Sequence, residues 1–388
     1  MRDLLPQLLD WWRADERVAV ATVVRTFRSA PREPGAAMAV GPGGEVIGSV
    51  SGGCVEGAVH DLCLEVAETG RPVLARYGVS DESAFEVGLT CGGTIEVFVA
   101  PLSRAAWPSF ESFTLRVLGG GPTLPDGGPP ASGVCLATVI AAPDGEDGGA
   151  GAVGSSRVVA GDGGAGPGGD DPFWAAVRTD AVGQLAAGVS AVREYGPRGE
   201  RTGTGTRVFL QVFAPRPRLL VFGAIDFAAA MARAGRLLGY RVTVCDARPV
   251  FATAARFPAA DEVVVDWPHR YLTAEIEAGR VSPDDAVCVL THDPKFDVPL
   301  LRTALTELPA GTYVGAMGSR RAHAEREARL VEDGVPPEAL ARLCSPIGLD
   351  LGARTPDETA VSIAAEMIAA RSGASARPLR ETDGPIHG

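Results

Sequence analysis

Apolar positions along the chain change their period from segment to segment, and the changes mark its elements. Leu4, Leu5, Leu8, Leu9 and Trp12 recur at helical spacing, which predicts a short helix over residues 2–14. Val18 to Val24 is a strand-like β-branched run, and a strand-turn-strand is expected around Gly41-Pro42-Gly43-Gly44. Residues 54–69 return to a helical pattern, and Thr94 to Val99 alternates like a strand. From Arg218 strands and helices alternate, with strands at 219–222, 242–245, 263–265, 286–290 and from Tyr313 onward. The first intervening helix runs from Phe227 to Leu238. Such alternation predicts a parallel sheet wrapped by helices. The last helix opens on Thr355-Pro356-Asp357-Glu358, a capping box with proline at the first helical position, and runs to about Arg371.

Residues 119–170 are rich in Gly, Pro and Asp and read as loops. An internal repeat shows through them. Ala21-Thr22-Val23-Val24 returns as Ala137-Thr138-Val139-Ile140, offset by 116 residues. Arg76-Tyr77-Gly78 returns as Glu194-Tyr195-Gly196 at 118, and Val97-Phe98-Val99-Ala100-Pro101 as Gln211-Val212-Phe213-Ala214-Pro215 at 114. Three ordered echoes at nearly constant offset predict a duplicated α/β unit. The expected organisation is a cysteine-bearing α/β unit at 1–101, a degenerate second copy at 102–215, a Rossmann-like domain at 216–375 and a loose tail at 376–388.

A length of 388 residues agrees with two or three domains. The 48 acidic residues outnumber 36 basic ones, a net charge of −12 that argues against nucleic acid and acidic membrane surfaces as partners. No stretch reaches the roughly 18 apolar residues of a membrane span, and the N-terminus has no secretory pattern. Seven cysteines spread over 388 residues do not make a secreted disulfide scaffold, so a cytoplasmic protein is expected.

Candidate chemistry concentrates in a few turns. In Ser51-Gly52-Gly53-Cys54-Val55-Glu56, two glycines permit unusual backbone angles before a predicted helix. Cys54 then sits at the helix's positive end, where a thiolate serves as nucleophile, metal ligand or persulfide carrier. Thr90-Cys91-Gly92-Gly93 is a second glycine turn with a thiol. Neither cysteine belongs to a C-x-x-C pair, so no structural zinc is expected, and burial as small hydrophobes stays open for both. Cys63, Cys245 and Cys288 read as core. Because the second copy lacks these turns, any chemistry of the duplicated region belongs to the first.

The turn Gly223-Ala224-Ile225-Asp226 lies where a dinucleotide fold carries G-x-G-x-x-G, and Asp246 ends the next strand, where an acid would hold a ribose. Ile225 replaces the glycine that lets a pyrophosphate approach, and Asp226 places negative charge at the helix start, so NAD(P) is not expected at this turn. In Thr291-His292-Asp293-Pro294-Lys295-Phe296-Asp297, Lys295 is the single lysine of the chain, which suggests a need for a compact ammonium. An ion pair to Asp293 or Asp297 is the alternative, and His292 is either a proton carrier or a cap. Gly315-Ala316-Met317-Gly318-Ser319-Arg320-Arg321 is a candidate anion cradle, with surface charge as the alternative for Arg321, and Pro346 to Gly352 is a bent connection beside it.

Taken in order, SGGCVE (51–56), TCGG (90–93), the turn at 218–228 with Asp246, Arg248 and RFP (256–258), THDPKFD, GAMGSRR and PIGLDLGARTP (346–356) resemble the XdhC/CoxI family of molybdenum-cofactor maturation proteins. The resemblance implies a homodimeric chaperone that binds the molybdenum cofactor (molybdopterin) and helps exchange an oxo ligand for sulfur. A cysteine desulfurase would be the sulfur donor and the large subunit of a xanthine dehydrogenase- or CO dehydrogenase-type molybdenum hydroxylase the recipient. It assigns chemistry to Cys54, Cys91, Glu56, His292 and Lys295, with Cys54 and Cys91 as molybdenum ligands. Gly52, Gly53, Gly92, Gly93, Gly223, Asp246, Arg248, Ser319 and Arg320 would hold the cofactor. The family usually has Gly-Ala-Gly-His where this chain has Gly223-Ala224-Ile225-Asp226, which marks a divergent branch. Two other readings remain: a nicotinamide-dependent oxidoreductase using Lys295 or His292 for proton transfer, and an assembly scaffold that handles no cofactor.

Overall fold

In a computed structural model, residues 1–27, 32–78, 93–119, 133–143, 152–160, 171–201, 205–291 and 293–383 are described. They separate into two units, Met1–Pro215 and Arg216–Gly388. The Gly-rich stretches expected to loop out fall largely on 120–132, 144–151 and 161–170, outside the described residues.

The first unit opens with α1 (Leu5–Arg13), which buries Leu5, Leu8, Leu9, Trp11 and Trp12. The chain continues through β1 (Val18–Phe27), β2 (Ala37–Val40), β3 (Val46–Gly48), α2 (Glu56–Thr69), β4 (Val73–Gly78) and β5 (Thr94–Leu102). These strands form an antiparallel sheet in the order β3-β2-β1-β5-β4. Next comes α3 (Phe110–Leu118), whose Phe110 and Phe113 pack with Trp12 and Trp107. A second antiparallel sheet, β7-β6-β9-β8, is built from β6 (Val134–Ala141), β7 (Ser156–Ala160), β8 (Ala191–Tyr195) and β9 (Thr206–Phe213), with α4 (Pro172–Ala187) between β7 and β8.

The second sheet repeats four of the first sheet's five strands, β2-β1-β5-β4, down to an irregularity, and β3 has no counterpart among the described residues. On β1 the register against β5 breaks between Val23 and Arg25, and on β6 against β9 between Val139 and Ala141, 116 residues later. The α2 core positions Val55, Val59 and Cys63 become Phe173, Val177 and Ala181 on α4, 118 later, and both helices end on a left-handed glycine, Gly70 and Gly188. One echo is corrected. Val23 pairs with Val97 and Val139 with Val208, so Val97-Phe98-Val99 is equivalent to Val208-Phe209-Leu210 at 111, not to the look-alike string at 114. That three-residue slip is odd and would exchange the two faces of the strand.

The two copies meet through equivalent residues. Val24 and Ile140, with Phe98 and Phe209, form one small core, and Glu96 pairs with its own counterpart Arg207 at 2.5 Å. This is the self-complementary geometry of an isologous dimer, placed inside one chain.

In the second unit, β10 (Arg218–Phe222), α5 (Asp226–Leu237), β11 (Arg241–Asp246), β12 (Glu262–Val265), α6 (Pro268–Glu277), β13 (Ala286–Val289), α7 (Pro294–Glu307) and β14 (Tyr313–Ala316) follow one another. They are completed by α8 (Arg320–Glu332), α9 (Pro337–Leu340), β15 (Leu343–Cys344) and α10 (Pro356–Ser372). All six strands are parallel, in the order β12-β11-β10-β13-β14-β15 of a Rossmann sheet. Alternate residues of β10 serve opposite layers: Leu219 and Val221 face α5 and α10, while Leu220 and Phe222 face α6, α7 and α8. The Thr355 capping box on α10 forms as expected.

Because Glu96 and Arg207 occupy equivalent positions, reversing both charges restores the pair. We expect Glu96→Arg or Arg207→Glu alone to cost about 2–4 kcal/mol. The double reversal should recover most of that loss in urea denaturation; a double variant no better than the sum of the singles would refute the equivalence.

Candidate functional site

Open parallel sheets bind ligands beyond the carboxyl ends of their strands, where the strand order reverses. Here that point lies between β10 and β13, and a cleft of about 430 Å³ occupies it. The turn after β10 supplies Gly223 and Ile225, the loop after β11 Asp246 and Arg248, and the loop after β13 Thr291 and Lys295. Gly223 has φ +115°, and a Cβ there would stand 2.9 Å from Thr291 Cγ2 and 3.0 Å from the Thr291 nitrogen. Glycine is required because the turn is pressed against the end of β13.

Asp246 is not a free ribose acceptor. Its buried carboxylate accepts from the Ala224 N–H at 2.8 Å, from the Arg248 N–H and Nε at 2.9 Å, and from Arg248 Nη2 at 2.8 Å. Burial works against its charge, but the Arg248 fork and the Ala224 amide outweigh it and hold the carboxyl below its ordinary value. The exposed partner of the pair is Arg248, whose guanidinium lies 4.6 Å over the Phe251 ring. On the opposite lip, Asp293 caps α7 through the Lys295 N–H at 3.1 Å and pairs with Lys295 Nζ at 3.4 Å. Lys295 Nζ also lies 4.7 Å from the Phe296 ring, which packs on Trp267 at 5.1 Å. The cleft therefore presents two cations, each steadied by a carboxylate and backed by an aromatic ring. Asp226 faces solvent and stands 3.5 Å from Arg256. His292 lies outside the described residues.

A buried ion pair ties the surrounding loops together. Asp297 accepts from the Thr291 hydroxyl and from Arg326 Nη2 at 3.2 Å. Arg326 also donates to the Met317 carbonyl at 2.8 Å and to Ser345 Oγ at 3.1 Å, so the connections after β13, β14 and β15 converge on one guanidinium. Sequence reasoning offered Asp297 only as a partner for Lys295 and did not single out Arg326, one of several arginines on α8. Burial, with both side chains under a tenth exposed, is what distinguishes them. In the expected anion cradle, the Ser319 hydroxyl already caps α8 by accepting from the Ala322 N–H at 3.1 Å; Arg320 is exposed and Arg321 pairs with Glu325. Glu366 anchors the bent connection, accepting from Tyr313 at 2.5 Å and from the Gly348 N–H at 2.9 Å.

In the first unit, Gly52 and Gly53 adopt φ +77° and +120°, so the glycine turn forms. Its amides are not free for a ligand. Glu56 accepts from the N–H groups of Ser51, Gly52 and Gly53 at 2.8–3.0 Å and from the hydroxyls of Ser49 and Ser51 at 2.7 and 2.5 Å. Partial burial raises its carboxyl, but these donors, led by Ser51 and Ser49, prevail and bring it down to about 2. A group that acidic holds the turn and carries no proton near neutrality. Cys54 is half-buried at the start of α2, its N–H donating to Ser51 Oγ at 3.0 Å. Burial pushes the thiols of Cys63, Cys135 and Cys245 up to about 12, that of Cys344 to about 11, and that of Cys288 higher still, which disfavours their thiolates. Cys91 and Gly92 lie outside the described residues, and Gly93 is buried at the start of β5. Among the described residues no three His, Cys, Asp or Glu side chains converge as a metal site, and no helix is long and apolar enough to cross a membrane.

Two family models match the chain: the XdhC and CoxI family over residues 11–78, and the XdhC Rossmann domain over 219–367. A Bacillus subtilis protein named as a probable subunit of xanthine dehydrogenase is 28% identical over 94% of this chain and 96% of its own length. An Escherichia coli protein named molybdenum cofactor insertion chaperone PaoD is 26% identical over 91% of this chain and 83% of its own. Among solved structures, a Bacillus halodurans protein described as a xanthine dehydrogenase has the same fold, with a TM-score of 0.66 and 24% identity over 98% of this chain and 97% of that one.

Two outcomes follow from these networks. Asp297→Asn leaves Arg326 buried without its counter-charge and is expected to cost about 3 kcal/mol in urea denaturation; a loss below about 1 kcal/mol would dismiss the pair as the tie between the loops. Glu56 ionises at about 2 in the fold against 4.5 ordinarily, so its contribution is complete above pH 4.5 and disappears as pH falls through 2. Glu56→Gln should therefore lower stability at neutral pH and flatten the acid limb across that window. An unaltered limb would detach Glu56 from the turn.

Proposed function

The chain belongs to the XdhC and CoxI family, and from that premise we propose that it is a molybdenum-cofactor maturation chaperone serving a molybdenum hydroxylase of the xanthine dehydrogenase type. The observation that carries this reading is the cleft at the strand reversal. A dinucleotide needs a glycine turn whose backbone admits a pyrophosphate and an acid open to ribose. Here Ile225 fills the turn and Asp246 is taken by Ala224 and Arg248. What the cleft offers instead is Arg248 and Lys295, two side-chain cations on aromatic supports, which suit a ligand joining an anionic phosphate to a flat heterocycle. Molybdopterin is such a ligand, and it is cargo in this reading.

The thiols have a separate part. Cys54, at the positive end of α2 and half-buried where Cys63, Cys135, Cys245 and Cys288 are buried, would give molybdenum a thiolate or relay sulfur drawn from a cysteine desulfurase; Cys91 is the other candidate. Glu56 acts on Cys54 only by fixing the turn that carries it. The recipient in this reading is the large subunit of the hydroxylase, and the chaperone works as a homodimer in the cytoplasm.

The test is to mix the purified protein with cofactor released from a molybdoenzyme, pass it through gel filtration, and quantify pterin and molybdenum in the protein peak. We expect near-stoichiometric pterin for the parent chain and about a tenfold loss of affinity in Lys295→Ala or Arg248→Ala. Cys54→Ser or Cys91→Ser should lower molybdenum or its sulfuration more than pterin. No co-elution from a folded sample would overturn the reading, and tight NADH binding with hydride transfer would replace it with an oxidoreductase.

A further inference from the structure

The duplication of the first unit creates two equivalent junctions, where β1 meets β8 and where β6 meets β4. They have diverged. At the β6/β4 junction the position after the strand irregularity is Ala141, and the facing strand carries Ala75, both half-buried. At the β1/β8 junction the same two register positions are Arg25 and Arg193, both exposed, and a cleft of about 790 Å³ opens there. Arg201 joins them in its lining, together with Thr26, Asp180 and Glu194.

Each guanidinium is held by a different neighbour. Arg25 lies 4.9 Å over the Phe27 ring. Gln184, in the amide orientation that satisfies both of its ends, accepts from Arg193 Nη2 at 2.8 Å and donates to the Val189 carbonyl at 2.8 Å. Arg201 pairs at 2.6 Å with Asp180, which also accepts from the Tyr195 hydroxyl at 2.9 Å. Three oriented forks surround one opening, two of them, Arg25 and Arg193, where the sister junction has alanine, an arrangement suited to planar or tetrahedral oxyanions.

We propose that the β1/β8 cleft binds a small multivalent oxyanion through Arg25, Arg193 and Arg201, independently of the cleft at the Rossmann sheet. Phosphoryl and carboxylate groups share this chemistry, so inorganic pyrophosphate and citrate are the probes. Isothermal titration of the full chain at low ionic strength, in the Lys295→Ala background, keeps the other cleft from contributing. We expect one probe to bind, with Arg25→Ala and Arg193→Ala each weakening it by about tenfold. Alanine already occupies the equivalent positions of the other copy, so both variants are compatible with the fold. Preference for pyrophosphate identifies a phosphoryl ligand and preference for citrate a carboxylate one. Absence of binding by both probes overturns the proposal. So does binding that the arginine variants leave unchanged, or binding that appears only when Lys295 is restored.

Discussion

Every helix start and every tight strand-to-helix turn leaves backbone N–H groups without a partner, and these must be satisfied. At several of these points the chain meets them with its own carboxylates and hydroxyls. Glu56 gathers three turn amides, Asp246 takes the Ala224 amide, Asp293 caps α7, and Ser319 and Thr355 cap α8 and α10. Helix N-termini and glycine turns are the usual anchors for phosphate. Since these amides already have partners, the proposed recognition of an anion falls to side-chain cations, and Arg248 and Lys295 are the ones that line the cleft.

The same economy explains how the cleft keeps its shape. Three connections converge on Arg326 through the buried Asp297 and the partly buried Met317 carbonyl and Ser345. Burying two charges costs desolvation that an apolar contact would avoid. An apolar contact has no preferred direction, however, whereas a guanidinium fork fixes the angle of every acceptor it meets. Loops without strand hydrogen bonds gain from that directionality, and Gly223 adds a steric stop where its turn presses on Thr291.

The architecture was largely legible in the sequence because period and capping are local properties. The parallel sheet, the capping box at Thr355 and two of the three echo offsets follow from them. The third echo misled because a Val-Phe pair followed by Ala-Pro occurs in both segments, Val97-Phe98 before Ala100-Pro101 and Val212-Phe213 before Ala214-Pro215, while equivalence is set by pairing register, which no single strand displays. Partner choice was legible only in part. An ion pair to Asp293 or Asp297 was the alternative to a functional ammonium at Lys295, and Asp293 is the partner found because Asp297, two residues on, turns inward to Arg326. The glycines of SGGCVE announced a turn, but that Glu56 would fold back over it depends on side-chain reach, which spacing does not encode. Cys91, Gly92 and His292 lie outside the described residues.

Duplication within one chain permits what a homodimer cannot. Across an exact two-fold, a residue on the axis meets its own copy, so Glu96 would face Glu96 and the contact would repel. Joined in one chain, the copies vary independently, and the axis position becomes Glu96 against Arg207, an attraction that pins the two sheets in one register. The same freedom lets the outlying junctions part company. At one of them small apolar side chains, Ala75 and Ala141, are retained, while the other takes Arg193 and Arg25 at the same register positions. The self-complementary core of Val24, Phe98, Ile140 and Phe209 takes Leu74 of β4 and Val192 of β8 against it alike, so both junctions share one apolar base and the exposed positions beside it can carry charge at little cost to the fold.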